Sequence, residues 1–272
     1  RLITVGLVLI VGFSLHTIPS TIIAGFAQGL GVSMEALYAG LRVRKFYPEI
    51  RLAPPANHPL TLKRFSAFYL PLVLTTSLGL LWQPLVSGAV SRMPDPLKSL
   101  AVWSAIGGLL FLFRSPGLAF NEAVVALLEE RGGYQVLKKF SLWASLAATL
   151  IVSLLVFTPI SRFWFGQVSK LAENLVPMAV IAMAISVPIT LITIYISFFQ
   201  GIIVHIGKTK PIAESVVIFL LSMGVVLVFG IIYQRIEGIY VAVGAFALAH
   251  LTQVVWLMVR SQHHRQSLID NR

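Results

Sequence analysis

The sequence contains no cysteine and is poor in charged residues. The absence of cysteine excludes disulfide bonds and thiol-based metal or redox chemistry. Charged residues make up only 11% of the 272 positions, whereas aliphatic and aromatic residues make up 57%. With a mean hydropathy of +0.87, the chain carries more apolar surface than a soluble domain can bury. It also lacks a phosphate-binding glycine loop, a nucleophile elbow and an HExxH stretch, so nothing indicates an ATPase, a hydrolase or a metalloprotease.

Long apolar runs separate the few charged residues. Runs of about 18 or more such residues can cross the hydrocarbon of a bilayer as helices, and these runs lack the alternation that is typical of β-barrel strands. The sequence therefore predicts an all-α polytopic membrane protein with the lipid bilayer as its partner and with about eight transmembrane helices. The predicted spans are residues 2–18, 20–41, 65–91, 97–128, 138–160, 174–204, 210–233 and 238–260.

The longest polar stretch lies at residues 42–64 and divides two predicted helices from six. It contains four of the fourteen prolines, Pro48, Pro54, Pro55 and Pro59. We interpret this stretch as a linker between two helical bundles. The predicted organisation is a pair of helices at 1–41, the linker at 42–64, a six-helix lobe at 65–260 and a tail at 261–272.

The 21 basic residues outnumber the 10 acidic ones, and they are unevenly distributed among the predicted loops. Fifteen Lys and Arg residues fall on one side of the predicted spans, five fall on the other side, and Arg114 lies inside a span. Because cytoplasmic loops are enriched in Lys and Arg, the linker and the C-terminus are predicted to be cytoplasmic. We interpret the net charge of +11 as this topology signal, and not as a surface that binds nucleic acid.

Arg114 lies near the middle of the fourth predicted span, where Ser115, Pro116 and Gly117 follow it. Proline cannot donate a hydrogen bond to the preceding turn, so a helix break is predicted here, with Pro116 in the first turn of a new half-helix. The start of a half-helix beside a guanidinium favours an anion. The sequence therefore predicts a point in mid-membrane that attracts negative charge.

Two polar residues, Asn121 and Glu122, follow on the same span. Glu122 lies eight residues after Arg114, which corresponds to about 12 Å of helix rise. Two interpretations of Arg114 stay open: the side chain lines a substrate cavity, or it forms a structural ion pair with Glu122. Glu122 itself either carries a coupling proton or lies at the cytoplasmic interface.

Other predicted spans also contain polar residues. Gln83 and Pro84 form a second polar break, which either faces a cavity or is an ordinary proline kink. Glu35 is a candidate for proton or ion binding, or a snorkelling carboxylate that pairs with a nearby arginine. For Gln200, His250 and Gln253 we expect hydrogen bonds between helices. No metal-ligand set and no cofactor-binding motif is recognised.

Several segments from residue 65 onward carry a family resemblance. In chain order they are FYLPLVLTTSLGLLWQPLVSGAVSR, AVWSAIGGLLFLFRSPGLAFNEAVVAL, FTPI, FFQGIIVHIGKTKP and GIYVAVGAFALAH. Together they resemble the C-terminal six-helix lobe of the multidrug, oligosaccharidyl-lipid and polysaccharide exporter superfamily, and more closely its progressive ankylosis branch. The resemblance covers roughly the last three quarters of the chain, and its motifs are loose patterns.

The resemblance implies a MATE-like arrangement of twelve helices in two pseudo-symmetric lobes, with a central cavity and alternating access. Residues 1–41 would then be the last two helices of a truncated N-terminal lobe, and its first four helices would be absent. In the family the first two helices of each lobe line the cavity, which favours Gln83, Arg114, Asn121 and Glu122 over Glu35 as substrate-cavity residues. Family members export drugs, lipid-linked sugars or anionic metabolites such as pyrophosphate and citrate.

The expected function is therefore that of a secondary transporter or flippase-type exporter in the cell membrane. Its expected substrate is an anionic small molecule or a lipid-linked compound, and no enzymatic activity is expected. Two alternatives from other classes stay open. A membrane-embedded enzyme that modifies lipids would need a cluster of acids, histidines or a nucleophile, and a non-transporting scaffold would have a dry interior without a central cavity.

Overall fold

The structure, a computed structural model, describes residues 2–14, 19–52, 61–207 and 209–270. The described residues form helices and no strand, which confirms the predicted all-α fold for this part of the chain. They divide into two compact units, Arg1–Leu60 and Thr61–Arg272. Residues 15–18 of the first predicted span, Pro54, Pro55 and Pro59 of the predicted linker, and tail residues 271–272 lie outside the described residues.

Seven helices in the described part of the chain are long and apolar enough to cross a membrane. The chain is accordingly a multi-pass membrane protein. The described part of the first predicted span is the helix Leu2–Ser14, of 13 residues. The seven helices are Ile22–Phe46, Phe65–Val90, Pro96–Leu127, Gly133–Phe157, Glu173–His205, Lys210–Tyr233 and Gly238–Gln262.

The first unit is a helical hairpin followed by two short helical segments. Its helices α1 (Leu2–Ser14) and α2 (Ser20–Val43) pack against each other. A 3₁₀ turn at Arg44–Phe46 and helix α3 (Tyr47–Leu52) follow directly. The first residues of the predicted linker are therefore helical.

The second unit contains the remaining helices and two short turns. A π-helical turn, Trp164–Val168, and a 3₁₀ turn, Glu173–Leu175, connect α8 to α9. The helices are α4 (Leu62–Gly79), α5 (Trp82–Val90), α6 (Pro96–Leu127), α7 (Gly133–Phe157), α8 (Ile160–Phe163), α9 (Val176–His205), α10 (Lys210–Tyr233) and α11 (Gly238–Asp270).

Helix α9 lies at the centre of this unit and packs against α6, α7 and α11, while α10 packs against α4 and α11. Two glycines allow α6 and α9 to approach closely. A Cβ atom on Gly117 would lie 3.0 Å from Ile194 Cγ1, and a Cβ atom on Gly201 would lie 2.6 Å from Val124 Cβ. This close packing of small residues brings the side chains in the middle of α6 directly against α9.

The helix break predicted at Pro116 and Gly117 is not present, because α6 is continuous from Pro96 to Leu127. The prediction of two half-helices was therefore wrong. The hydroxyl of Ser115 donates to the carbonyl oxygen of Leu112 at 2.9 Å, and this is the carbonyl that Pro116 leaves without a backbone donor. A serine that satisfies the freed carbonyl lets a transmembrane helix continue through a proline.

A break does occur before Pro84, between α4 and α5. The backbone N–H groups of Leu80 and Leu81 bond to the carbonyl oxygens three residues earlier, at 3.2 and 3.0 Å, so the chain tightens at this point. Pro84 then lies in the first turn of α5, where the absence of its N–H costs no helical hydrogen bond. This geometry places Gln83 at the start of a helix inside the apolar span.

Candidate functional site

Arg114 lies near the middle of α6 and connects this helix to α9 and α11. Its Nε donates to Oγ1 of Thr193 at 2.9 Å, and its Nη2 lies 2.7 Å from Nε2 of His250. Its guanidinium carbon lies 5.1 Å from the centre of the Phe246 ring, within the range of a cation–π interaction. Three membrane-spanning helices therefore meet at this one cation.

The partners of Arg114 are themselves held by backbone carbonyl groups. The Thr193 hydroxyl donates to the carbonyl oxygen of Ile189 at 2.8 Å, which directs its lone pairs toward Arg114. Nδ1 of His250 lies 2.8 Å from the carbonyl oxygen of Phe246. A guanidinium only donates and a carbonyl only accepts, so this geometry assigns His250 as a neutral imidazole with its proton on Nδ1.

No carboxylate forms an ion pair with Arg114 among the side chains that the structure describes. Glu122, the alternative partner considered from the sequence, lies exposed on α6. A guanidinium has five N–H donors, and two hydrogen bonds to described groups are formed here. Arg114 is therefore solvated by neutral groups, and its charge is not compensated within the described part of the bundle.

A cavity of about 270 Å³ lies beside Arg114. The Trp82 ring lies 5.0 Å from the Phe246 ring and 6.1 Å from the Trp103 ring, measured between centroids, so aromatic side chains form much of the wall. Arg114 is the charged residue of this lining. The other residues that border the cavity are Trp82, Gln83, Trp103, Ser104, Ile106, Gly107, Gly108, Leu110, Phe111 and Phe246.

The structure brings together only part of the set predicted from the sequence. Gln83 and Arg114 border the same cavity. Asn121 is half-buried about two turns beyond Arg114, and its Oδ1 is buried without a hydrogen-bond partner among the described groups. Glu122 and Glu35 are both exposed, Glu35 on α2 of the other unit. None of these last three borders the Arg114 cavity.

Pro116 and Gly117 border a different space, an apolar groove between α6 and α7. The groove has a volume of about 470 Å³, and Phe140, Ala144 and Ala148 form part of its α7 wall. All the side chains that line it are apolar. The groove therefore provides no site for an ion. The role of Gly117 is to allow α6 and α9 to pack closely.

Sequence reasoning identified two polar residues correctly and missed others. The predicted hydrogen bonds between helices are confirmed for His250, which bonds to Arg114, and for Gln253, whose Nε2 donates to Ser215 Oγ at 3.4 Å. Thr193 and Phe246 were missed. Thr193 could have been found from its position along the span. Thr193, His250 and Arg114 all lie near the middle of their spans, which places them at a similar depth in the membrane.

A metal site is not evident in the described residues, which contain no group of three or more His, Asp or Glu side chains that could hold an ion. Comparison of the chain with protein-family models, with curated proteins and with solved structures finds no match. The resemblance to the exporter superfamily therefore stays a prediction. The function has to be inferred from the geometry around Arg114.

Proposed function

We propose that this protein is a secondary transporter or flippase whose substrate carries an oxyanion group, and that Arg114 binds this group. The observation that carries the proposal is a guanidinium in mid-membrane without a carboxylate partner among the described residues, beside a cavity of about 270 Å³. A charge inside a membrane costs several kcal/mol unless it is paired or hydrated. An anion in the cavity supplies the missing charge.

The lining fits the recognition of a carboxylate or phosphate group. Arginine presents a planar fork that binds such groups through two parallel hydrogen bonds. Gln83 and Ser104 add an amide and a hydroxyl at the exposed rim. Trp82 and Trp103 border the cavity with largely apolar rings, and an apolar wall strengthens an electrostatic interaction beside it. Both a small anion and an anionic lipid headgroup have this chemistry.

Alternating access and orientation belong to the same proposal. The exposed rim at Gln83, Ser104 and Gly108 is where a second lobe would close the cavity, as the family resemblance implies. Arg131 in the loop between α6 and α7 and Lys210 at the start of α10 fall on one side of the membrane when each long helix crosses it once. By the positive-inside rule this side is cytoplasmic, and the C-terminal end of α11 lies on it.

The two alternatives from other classes are less well supported. An enzyme that modifies lipids would need a general base or a nucleophile pair in the cavity, and Ser104 has no His, Asp or Glu beside it in this lining. A scaffold protein gains nothing from an uncompensated charge next to a cavity, since such a charge lowers stability. Binding of an oxyanion explains both features.

Transport by the full-length protein in proteoliposomes tests the proposal. Uptake of radiolabelled citrate and of pyrophosphate is measured for the wild type, for Arg114→Gln and for Arg162→Gln, at equal protein density. Arg162 is an exposed arginine outside the cavity and serves as the matched control. We expect Arg114→Gln to lose about tenfold or more of the transport rate, because one charged hydrogen-bonding partner is worth about 1.5–3 kcal/mol, while Arg162→Gln keeps it.

A second arm distinguishes a small anion from a lipid headgroup. The flip rate of fluorescent phosphatidylserine and phosphatidylcholine is measured in the same proteoliposomes. Flipping of the anionic lipid that depends on Arg114, without uptake of citrate or pyrophosphate, assigns a flippase. If neither arm gives activity that Arg114→Gln reduces, the proposed role of Arg114 is wrong.

A further inference from the structure

His250 is a titratable side chain in the middle of α11, and only 4% of its surface is exposed. Its two ring nitrogens are both engaged, Nδ1 with the Phe246 carbonyl oxygen at 2.8 Å and Nε2 with Arg114 Nη2 at 2.7 Å. In this arrangement Nε2 accepts a hydrogen bond and carries no proton. The site without a ligand therefore holds one positive charge, on Arg114.

The surroundings of His250 explain why the imidazole stays neutral in this state. Three other helices supply the side chains around His250. Arg114 comes from α6, and Thr193 on α9 lies next to its guanidinium. Phe219 comes from α10, and its ring centroid lies 4.8 Å from that of His250. On α11 itself the Phe246 ring packs at 4.4 Å. Arg114 is the charged group recorded at this imidazole, and no carboxylate is recorded there among the described side chains. A proton on Nε2 would point at another donor and place two positive charges side by side.

An oxyanion in the Arg114 cavity reverses both conditions. An oxyanion that takes the Nη groups of Arg114 as its donors would leave Nε2 of His250 without a donor. The negative charge of the anion then lies close to the imidazole and favours the imidazolium form. A divalent anion is balanced by two positive charges, one on Arg114 and one on His250.

We propose that His250 takes up one proton when a divalent oxyanion binds to Arg114, so that anion and proton bind as a pair. The inference rests on the proposed function, since it requires an anion in the Arg114 cavity. In this step an N–H bond forms at Nε2, and the proton comes from the water that accompanies the anion into the cavity. The transported species is then the anion together with one proton, and a proton gradient drives its movement.

Sulfate binding measures this coupling, because sulfate is a divalent oxyanion that carries no titratable proton near neutral pH. Calorimetry of sulfate binding to the full-length protein in nanodiscs is carried out in buffers of different ionisation enthalpy. The dependence of the measured heat on the buffer gives the number of protons taken up for each sulfate bound. We expect about one proton, and a dissociation constant that falls by up to about tenfold for each unit of decrease in pH.

The variant His250→Gln separates the proton from the anion. Its amide oxygen accepts from Arg114 as Nε2 does, but it binds no proton. We expect this variant to bind sulfate with no proton uptake and with little dependence on pH. Wild-type binding without proton uptake overturns this inference and leaves the proposed function intact. If the wild type shows no sulfate binding that Arg114→Gln weakens, the small-anion site and this inference fail together.

Discussion

The hydroxyl of Ser115 lies 2.9 Å from the carbonyl oxygen of Leu112 and donates to it. Pro116 has no N–H to offer this carbonyl, which in a regular helix would bond to residue 116. In hydrocarbon no water can replace the missing donor, so the serine keeps α6 continuous. Arg114, which precedes this pair, is held on a rigid helix as a result.

Removal of the Ser115 hydroxyl tests this account. We expect Ser115→Ala to lower the free energy of unfolding by about 1 kcal/mol, because the Leu112 carbonyl loses its donor. In a Pro116→Ala background the backbone N–H of residue 116 supplies that donor, so the same substitution costs less. The measurement is SDS-induced unfolding in mixed micelles.

Ser145 on α7 provides a control for Ser115 at a more deeply buried position. Its hydroxyl also donates to the carbonyl three residues earlier, that of Leu142, at 2.8 Å, but residue 146 is a leucine whose N–H serves the same carbonyl. We expect Ser145→Ala to change the unfolding free energy by less than Ser115→Ala does. Equal losses for the two alanine variants would show that Ser115 has no special role beside the proline.

Thr193 accepts a hydrogen bond from a charged group, and Thr190 on the same helix does not. Both side chains are 1% exposed, and the Thr190 hydroxyl donates to the carbonyl oxygen of Val187. We expect Thr193→Val to cost about 1.5–3 kcal/mol of unfolding free energy, because Arg114 loses an acceptor in a membrane interior. Thr190→Val removes a hydroxyl of the same kind and is expected to cost less than about 1 kcal/mol. Similar losses in SDS titrations of both variants contradict a stabilising role for the bond to Arg114.

Alanine substitutions at Gly201 and Gly224 separate the effect of close helix packing on stability from the effect of helix propensity. A Cβ atom on Gly201 would lie 2.6 Å from Val124 Cβ, whereas one on Gly224 meets no described atom within 4 Å. We expect Gly201→Ala to destabilise the protein by about 1–3 kcal/mol through overpacking between α6 and α9. Gly224→Ala keeps only the gain in helix propensity, about 0.5–1 kcal/mol. Thermal unfolding in detergent measures both, and a stabilised Gly201→Ala variant contradicts the close approach.

The orientation of the chain can be tested by cysteine labelling, since the sequence has no native cysteine. We expect Arg162→Cys, between α7 and α9, to react with a membrane-impermeant maleimide in intact cells. Lys210→Cys, at the start of α10, should react several-fold less until the cells are permeabilised. Both residues are exposed, so their accessibility in detergent is the control. The opposite labelling pattern would invert the proposed topology.

The sequence by itself determined that the chain is helical and lies in a membrane. Long apolar runs are stable in the hydrocarbon of a bilayer. A helix is favoured there because it satisfies its own backbone hydrogen bonds. The mid-span position of Arg114 also follows from the sequence, because depth is counted along a single helix. The polar residues Gln83 and Pro84 were also located from the sequence, and the helix break lies just before them, at Leu80 and Leu81.

Only the tertiary structure decided which groups surround Arg114. Thr193 and His250 lie 79 and 136 residues away along the chain, and no local pattern links positions so far apart. The continuity of α6 depended on where one serine hydroxyl points, which propensity does not specify. Whether Glu122 neutralised the arginine was likewise a question of which helix face each side chain occupies in the packed bundle. The bundle places neutral acceptors at the guanidinium and leaves Glu122 exposed, because helix packing, and not spacing in the sequence, sets the distances between side chains.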